Sequence, residues 1–190
     1  MSEERKRLQI PCSEEEYRSL RAGDRLLISG TLYTARDAAH KRLCALLDEG
    51  RELPFDIRGQ VIYYVGPAPT PPGYAIGSAG PTTSYRMDKY APRLLDAGLK
   101  GMIGKGLRND EVKASMKKNG AVYFAATGGA AALIARSIIS SEVIAYEDLG
   151  TEAVRKLEVR DMPVIVAVDP DGNDAYEAGR EECRAALASL

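Results

Sequence analysis

The sequence predicts a single α/β layered domain with a mixed sheet over residues 1–190, and three observations lead to this prediction. The chain's 190 residues are enough for one domain with a hydrophobic core. Its composition, 45% hydrophobic and 28% charged residues, is that of an ordinary globular protein. From about residue 85 onward, runs rich in β-formers alternate with segments of helical periodicity. This alternation favours a sheet with some parallel pairing.

The N-terminal part of the chain is less regular. We expect residues 1–22 to form a peripheral segment with one short helix, Ser13 to Leu20, because Ser13 and Glu16 make a capping-box pattern. Up to residue 73 the predicted elements are a strand at 26–33 that breaks at Gly30, a helix at 36–50, a strand at 61–65 and a proline-rich loop at 66–73. Beyond it the predicted strands lie at 74–78, 101–104, 121–125, 142–145 and 164–168. The predicted helices lie at 87–97, 109–119 (with Asn109 as its N-terminal cap), 128–139 and 177–190.

Charge and hydropathy indicate neither a nucleic-acid nor a membrane partner. Lys plus Arg number 26 and Asp plus Glu number 27, so the chain has no general attraction to polyanions, although a local basic patch stays possible. The longest apolar stretch, about 121–135, is shorter than the ~18 residues that suggest a membrane span. The N-terminal residues lack the apolar core of a signal peptide. We therefore expect a cytoplasmic protein.

The three cysteines, Cys12, Cys44 and Cys183, are scattered and none forms a C-x-x-C spacing. In a cytosolic chain this pattern is typical of buried thiols that behave as small hydrophobes. Three cysteines cannot make a four-sulfur metal site. A three-cysteine cluster site remains formally open, but no local ligand spacing indicates one. We predict no metal ligands in this chain.

The first candidate site segment runs from Gly30 to Arg42 and places Arg36 at a strand-to-helix junction. Arg36 and the N–H groups of the helix start would suit a carboxylate ligand. Asp37 and His40, the only histidine, are three residues apart and can face each other on one turn, where Asp37 would set the tautomer of His40. A capped helix with solvated charges, or a structural His–Asp pair, explains the same spacing.

The second candidate segment, Gly80 to Asp88, has a Gly-Pro turn, three hydroxyl residues beginning at Thr82, and Arg86. It is similar to an anion-binding loop, because the planar guanidinium of Arg86 can bind a carboxylate through two hydrogen bonds. The alternative is a helix cap with spare hydroxyls.

Two glycine-rich segments complete the set. Gly104 and Gly106 flank Lys105, so a backbone can approach closely and the ammonium is left unshielded. Gly128 and Gly129 precede a small-residue helix and suit close packing or ligand approach. Neither segment matches a P-loop or a dinucleotide fingerprint. Two arginines and a lysine in loops at strand ends indicate a small dicarboxylate, but their spacing does not identify a reaction.

These segments, in this order, resemble the C-terminal region of class I fumarases, which also forms the separate beta subunit of two-subunit fumarases and of L-tartrate dehydratase. The resemblance runs from about residue 8 to 180. It is carried by GTLYTARDAAHKR at 30–42, GPTTSYRMD at 80–88, GKG at 104–106 and TGGAA at 127–131, with further matches at 147–153, 158–159 and 171–174.

The resemblance implies a swivelling β/β/α fold and the reversible hydration of fumarate to L-malate. It implies a [4Fe-4S] cluster with three cysteine ligands and one open iron that acts as a Lewis acid on the substrate hydroxyl. Those cysteines belong to the alpha region, which is missing here. The resemblance therefore implies an alpha-subunit partner that holds the cluster, and we expect two copies of each subunit.

The resemblance also implies roles for individual residues. Arg36, Arg86 and Lys105 match residues that bind the substrate carboxylates. Thr82 matches a substrate-binding hydroxyl proposed as the catalytic proton acceptor, which would need nearby cations or a relay because threonine is a poor base. The candidate supporting residues are Asp37, His40, Gly128 and Gly129. The motifs at 36–40 and 86–88 favour fumarase over L-tartrate dehydratase, and a non-catalytic module that binds small anions is a further alternative.

Overall fold

The computed structural model describes residues 5–188, in which seven strands form one mixed sheet with helices packed on it. The strands are β1 (Lys6–Ile10), β2 (Arg25–Thr34), β3 (Val61–Tyr63), β4 (Gly101–Gly104), β5 (Val122–Ala125), β6 (Ile138–Ala145) and β7 (Val154–Val168). The α-helices are α1 (Glu14–Ser19), α2 (Asp37–Asp48), α3 (Ala91–Asp96), α4 (Asp110–Asn119), α5 (Ala131–Ala135) and α6 (Ala175–Ala188), and Ser84–Met87 and Glu147–Glu152 are 3₁₀ helices. The predicted α/β fold with a mixed sheet is confirmed.

The sheet closes on itself through β7. The strand order is β1-β2-β3-β4-β5-β7-β6, in which β1 to β5 run parallel and β7 runs antiparallel to its neighbours. Because β7 pairs with β2 as well as β5, the ladder from β2 to β7 forms a closed circuit. β2 continues through Gly30 with a register shift there instead of ending. A Cβ on Gly30 would lie 2.0 Å from the Ile10 carbonyl oxygen, so the close approach of β1 requires glycine.

Alternating side chains of the central strands form two hydrophobic cores. Val61 and Tyr63 point into the inner core, which collects side chains from β1 to β7. Ile62 and Tyr64 point the other way, into the outer core, which is shared with α2, α3 and α4. Because both faces of β3, β4 and β5 are buried, these strands read as continuous apolar runs in the sequence.

The prediction that residues 1–22 are peripheral is wrong for the part that the structure describes, because β1 extends the sheet and α1 covers the inner core. Ile10 and Tyr17 are fully buried, and the Tyr17 hydroxyl donates to the Gly59 carbonyl (3.1 Å). The capping box of Ser13 and Glu16 is confirmed. The Asn109 cap of α4 is also confirmed, since its side chain accepts from the Val112 N–H (2.9 Å).

Four other predicted elements differ from the structure. Residues 74–78 form no strand, and α3 begins only at Ala91, with Pro92 in its first turn. The predicted helix at 128–139 is reduced to α5, because Ile138 already starts β6. β7 begins ten residues before the predicted strand at 164–168. Polar residues alternate with apolar ones along 154–163, so this first part of the strand lacks the continuous apolar run that indicated the second part. No helix within residues 5–188 is long and apolar enough to cross a bilayer.

Candidate functional site

The predicted site residues follow the carboxyl ends of neighbouring parallel strands. Arg36 comes two residues after β2, Lys105 directly after β4, and Gly128 three residues after β5. β3 lies between β2 and β4 and ends at the same edge. Because the carboxyl ends of parallel strands meet at one edge, the fold brings these residues to the place where α/β sheets commonly bind ligands.

The loop that carries Thr82 docks between the ends of β3 and β4. The Thr82 N–H donates to the Tyr64 carbonyl (2.7 Å), and the Thr82 carbonyl accepts from the Lys105 N–H (3.2 Å). The Ser84 N–H then donates to the Lys105 carbonyl (2.9 Å). Thr82 and Lys105 are therefore backbone neighbours. The Thr82 hydroxyl makes no hydrogen bond within residues 5–188, so it remains available to a ligand.

Asp37 contacts both arginines of the predicted site. Arg86 Nε donates to Asp37 Oδ1 (3.0 Å), and Arg86 Nη2 lies 2.9 Å from Oδ2 at an angle unsuited to a hydrogen bond. Arg36 Nε lies 3.9 Å from the same Oδ2. The structure thus brings Arg36 and Arg86 together. The edge of the Arg86 guanidinium from Nε to Nη2 faces this chain's own carboxylate.

Glu152 is a residue of the site that the sequence analysis missed. Its Oε1 lies 3.5 Å from Arg36 Nη2, and its Oε2 accepts from the Ala38 N–H (2.9 Å) in the first turn of α2. Part of the helix start that we expected to suit a ligand carboxylate is therefore occupied by Glu152. The two segments are 114 residues apart, and no local pattern links them. Gly66 makes room for Arg36, because a Cβ there would lie 2.7 Å from Arg36 Nη1.

Lys105 presents an unpaired ammonium group at the same edge. Its Nζ forms no ion pair or hydrogen bond with the part of the chain that the structure describes. Its alkyl stem passes Gly128, where an added Cβ would lie 3.6 Å from Cδ. Gly106 and Gly129 have φ values of +81° and +80°, so turn geometry alone accounts for both glycines. The sheet edge thus has more cations than carboxylates, and this excess of positive charge suits a small anion. The cations are Arg36, Arg86 and Lys105, and the carboxylates are Asp37 and Glu152.

His40 supports the backbone of Arg36 and does not pair with Asp37, contrary to one interpretation of their spacing. Its Nδ1 donates to the Arg36 carbonyl (2.9 Å), and the buried ring lies edge-on to Tyr64 with centroids 5.2 Å apart. Burial lowers the pKa of His40 to about 4, and the nearby charge of Arg108 acts in the same direction. His40 is therefore a neutral imidazole at neutral pH.

A second arginine–aspartate pair, Arg108 with Asp88, lies buried beneath the site and was also missed. Arg108 Nε donates to Asp88 Oδ1 (2.7 Å), and Asp88 Oδ2 accepts from the Asn109 N–H (3.0 Å). The Arg108 guanidinium lies 5.4 Å from the Tyr64 ring centroid and 5.1 Å from that of Tyr123. In the sequence Arg108 precedes a helix cap, a position typical of a solvated charge.

The thiols of this chain do not fit a shared iron–sulfur cluster. Cys12 packs against the inner core and Cys44 against the outer core, so the sheet separates them, and Cys183 is exposed on α6. Burial raises the pKa of Cys12 and Cys44 to about 11, which disfavours the thiolate that a cluster needs. Within residues 5–188, no group of three or more His, Cys, Asp or Glu side chains is arranged to hold a metal.

The chain matches the family model described as "Fumarase C-terminus" over residues 2–179. It is 43% identical over 169 residues to "Fumarate hydratase class I, aerobic" of Salmonella typhimurium, with 87% of this chain and 29% of that protein covered. It is 44% identical over 156 residues to "Fumarate hydratase 2" of Leishmania major, with 81% and 28% covered. The chain thus spans less than a third of the length of these relatives.

A relative of similar length also matches. The protein named "Putative L(+)-tartrate dehydratase subunit beta" in Methanocaldococcus jannaschii is 36% identical over 171 residues, which cover 87% of this chain and 88% of that protein. The match to the family model, over residues 2–179, includes the segments that carry Arg36, Thr82, Arg86 and Lys105.

Proposed function

This chain belongs to the fumarase C-terminal family, and we propose that it supplies the carboxylate-binding half of a hydro-lyase that interconverts L-malate and fumarate plus water. The observation that carries the proposal is the unpaired Lys105 ammonium beside Thr82, at the same sheet edge as Arg36 and Arg86. A dicarboxylate needs cationic donors for both of its ends, and this edge provides three.

The geometry of Arg86 defines how it would bind a substrate carboxylate. Asp37 faces the edge of the guanidinium from Nε to Nη2, which leaves the edge from Nη1 to Nη2 for a second carboxylate. Two parallel hydrogen bonds from that edge would fix the orientation of the substrate as well as its charge. Asp37 would then hold Arg86 in place while the substrate binds.

We propose Thr82 as the proton-transfer residue. Its hydroxyl is free of hydrogen bonds within residues 5–188 and its backbone is held on both sides, by Tyr64 and by Lys105. A positive charge near the hydroxyl favours its deprotonated form, and Lys105, the backbone neighbour of Thr82, would supply that charge. In the reconstituted enzyme, a Thr82→Ser variant should therefore retain more activity than Thr82→Val.

We propose that the [4Fe-4S] cluster is held outside these 190 residues, by an alpha-type subunit. Two observations support this assignment: the cysteines lie on opposite sides of the sheet, and the Methanocaldococcus relative is named as a subunit beta. A complex with two copies of each subunit, in the cytoplasm, is the expected assembly. The half-exposed position of Arg86 is consistent with a site that another surface completes.

L-Tartrate dehydratase is the second candidate function, and the length match to the Methanocaldococcus relative favours it. Fumarate hydratase remains the first candidate, because relatives with that name are 43% and 44% identical to this chain, against 36% for the tartrate relative. Assays with L-malate and L-tartrate as competing substrates would separate the two.

The decisive experiment is anoxic co-expression with an alpha-type partner from the same genome, followed by a malate dehydration assay. We expect turnover from the complex and none from the purified chain, since the cluster lies on the partner. Mass measurement of the co-purified complex would give its stoichiometry. Turnover of fumarate by the isolated chain without iron would contradict the two-subunit assignment. Fumarate binding without any turnover by the complex would indicate a non-catalytic anion-binding module.

A further inference from the structure

A chain of buried hydroxyl groups lies beneath the candidate site. The Tyr123 hydroxyl donates to the Gly106 carbonyl (2.9 Å), and it lies 2.9 Å from Ser84 Oγ. Because Tyr123 has one hydroxyl proton and gives it to Gly106, Ser84 must be the donor in the second contact. Ser84 and Tyr123 are both fully buried, so neither hydroxyl can exchange its partner for bulk water.

This hydroxyl chain joins the two loops that carry substrate-binding candidates. Ser84 begins the 3₁₀ helix Ser84–Met87, which contains Arg86. Gly106 directly follows Lys105 and adopts φ +81°. Backbone hydrogen bonds already connect Thr82 and Ser84 to Lys105, but they end at Ser84. The Ser84–Tyr123–Gly106 chain therefore adds a side-chain connection where the backbone ladder stops.

The Ser84 hydroxyl packs tightly against the backbone of Gly104. A Cβ on Gly104 would lie 2.0 Å from Ser84 Oγ and 3.0 Å from the Tyr64 ring. Gly104 is thus needed to admit the serine side chain, which explains this glycine without any contact to a ligand. The Arg108 guanidinium covers the Tyr123 ring at 5.1 Å and limits its movement.

We propose that Tyr123 is a positioning residue that sets the distance between Arg86 and Lys105. Its hydroxyl holds the Arg86 helix and the Lys105 loop in one arrangement, so both cations reach the two ends of a dicarboxylate together. The inference rests on the proposed function for the role of those cations, but the connection itself can be tested without any activity.

The first test is hydrogen–deuterium exchange of Tyr123→Phe, with Tyr17→Phe as the matched control. Tyr17 is also fully buried and donates to a carbonyl, that of Gly59, which precedes β3 at the opposite end of the sheet. In Tyr123→Phe we expect faster amide exchange over 84–87 and over 104–107, with an unchanged global fold. In Tyr17→Phe we expect the exchange of both segments to stay as in the wild type. Ser84→Ala should loosen 84–87 alone. Equal exchange over both loops in the two tyrosine variants would overturn the inference.

The second test uses the complex with the alpha-type partner. Loss of one hydrogen bond that orders the site should raise the KM for L-malate about five- to tenfold in Tyr123→Phe, with kcat within about twofold. Tyr17→Phe should keep the wild-type KM. An unchanged KM despite looser loops would also overturn the positioning role. An inactive wild-type complex would count against the proposed function, while the exchange experiment would still decide the connection.

Discussion

Two arginine–aspartate pairs, one formed from within the 3₁₀ helix Ser84–Met87 and one from the residue after it, differ in their access to water. Arg86 and Asp37, with nitrogen and oxygen 2.9 Å apart, have side chains that are 41% and 32% exposed. Arg108 and Asp88, 2.7 Å apart, have side chains that are 0% and 8% exposed. The distances are alike, so burial and not bond length separates the two pairs.

One short segment of the chain therefore contributes to both binding and stability. A partly exposed pair contributes little to folding and can share its cation with a ligand. A buried pair has lost its hydration, so removal of one partner leaves an uncompensated charge in the protein. Arg86 and Asp88 are two residues apart, and the turn between them directs one toward the site and the other beneath it.

The largest effect should come from Arg108→Met. This variant leaves Asp88 buried without its cation, which should lower the free energy of unfolding by about 3–5 kcal/mol. The matched variant Arg86→Met breaks an exposed pair and should cost less than about 1 kcal/mol. Urea denaturation of both variants measures the difference. Equal losses in the two would show that burial does not separate these pairs.

A somewhat smaller effect should come from pH, through His40. Its pKa is about 4 when folded and 6.5 in the reference state, so between these values the unfolded chain binds a proton that the folded chain does not. The contribution of neutral His40 to stability is therefore fully present above pH 6.5 and is lost as the pH falls toward 4, by roughly 2–3 kcal/mol at pH 4.5. Protonation would add a second buried cation near Arg108.

The control for this prediction is His40→Gln, which removes the only histidine. Other groups titrate similarly in both proteins, so the difference between their urea denaturation curves at pH 7 and pH 4.5 isolates His40. The same pH dependence in wild type and variant would mean that His40 is not held neutral by burial.

An effect on activity instead of stability, and the most specific one, should come from Arg86→Lys and Arg36→Lys in the complex. Lysine keeps the charge and loses the planar fork, and a lost hydrogen bond to a charged group costs about 1.5–3 kcal/mol. The kcat/KM for L-malate should therefore fall about ten- to more than a hundredfold. The melting temperature should barely change.

Arg58→Lys is the matched control for these two variants. Arg58 binds Asp56 through Nε (2.9 Å) and Nη2 (2.7 Å) on the exposed surface, far from the ends of β2 and β4. Its replacement should leave kcat/KM unchanged. Near-normal activity in Arg36→Lys and Arg86→Lys would place both residues outside the substrate site.

Local signals in the sequence determined two kinds of feature: helix caps, whose hydrogen bonds stay within a few residues, and strands that are buried on both faces. The Ser13–Glu16 capping box, the Asn109 cap and the apolar runs of β3 to β5 all appear where they were predicted. Each depends on contacts over three or four positions, or on burial of both strand faces, which composition alone reveals. Motif order likewise pointed to Arg36, Thr82, Arg86 and Lys105, and the structure brings their loops to one sheet edge.

Only the tertiary structure decided which partners those residues have. Glu152 reaches Arg36 across more than a hundred residues, Asp37 turns to Arg86 instead of His40, and β1 joins the sheet although its segment looked peripheral. Arg108 is buried against two aromatic rings, those of Tyr64, which follows β3, and Tyr123, which lies in β5. Such contacts depend on how the sheet closes through β7, and closure is set by strand pairings between distant segments that no local pattern encodes.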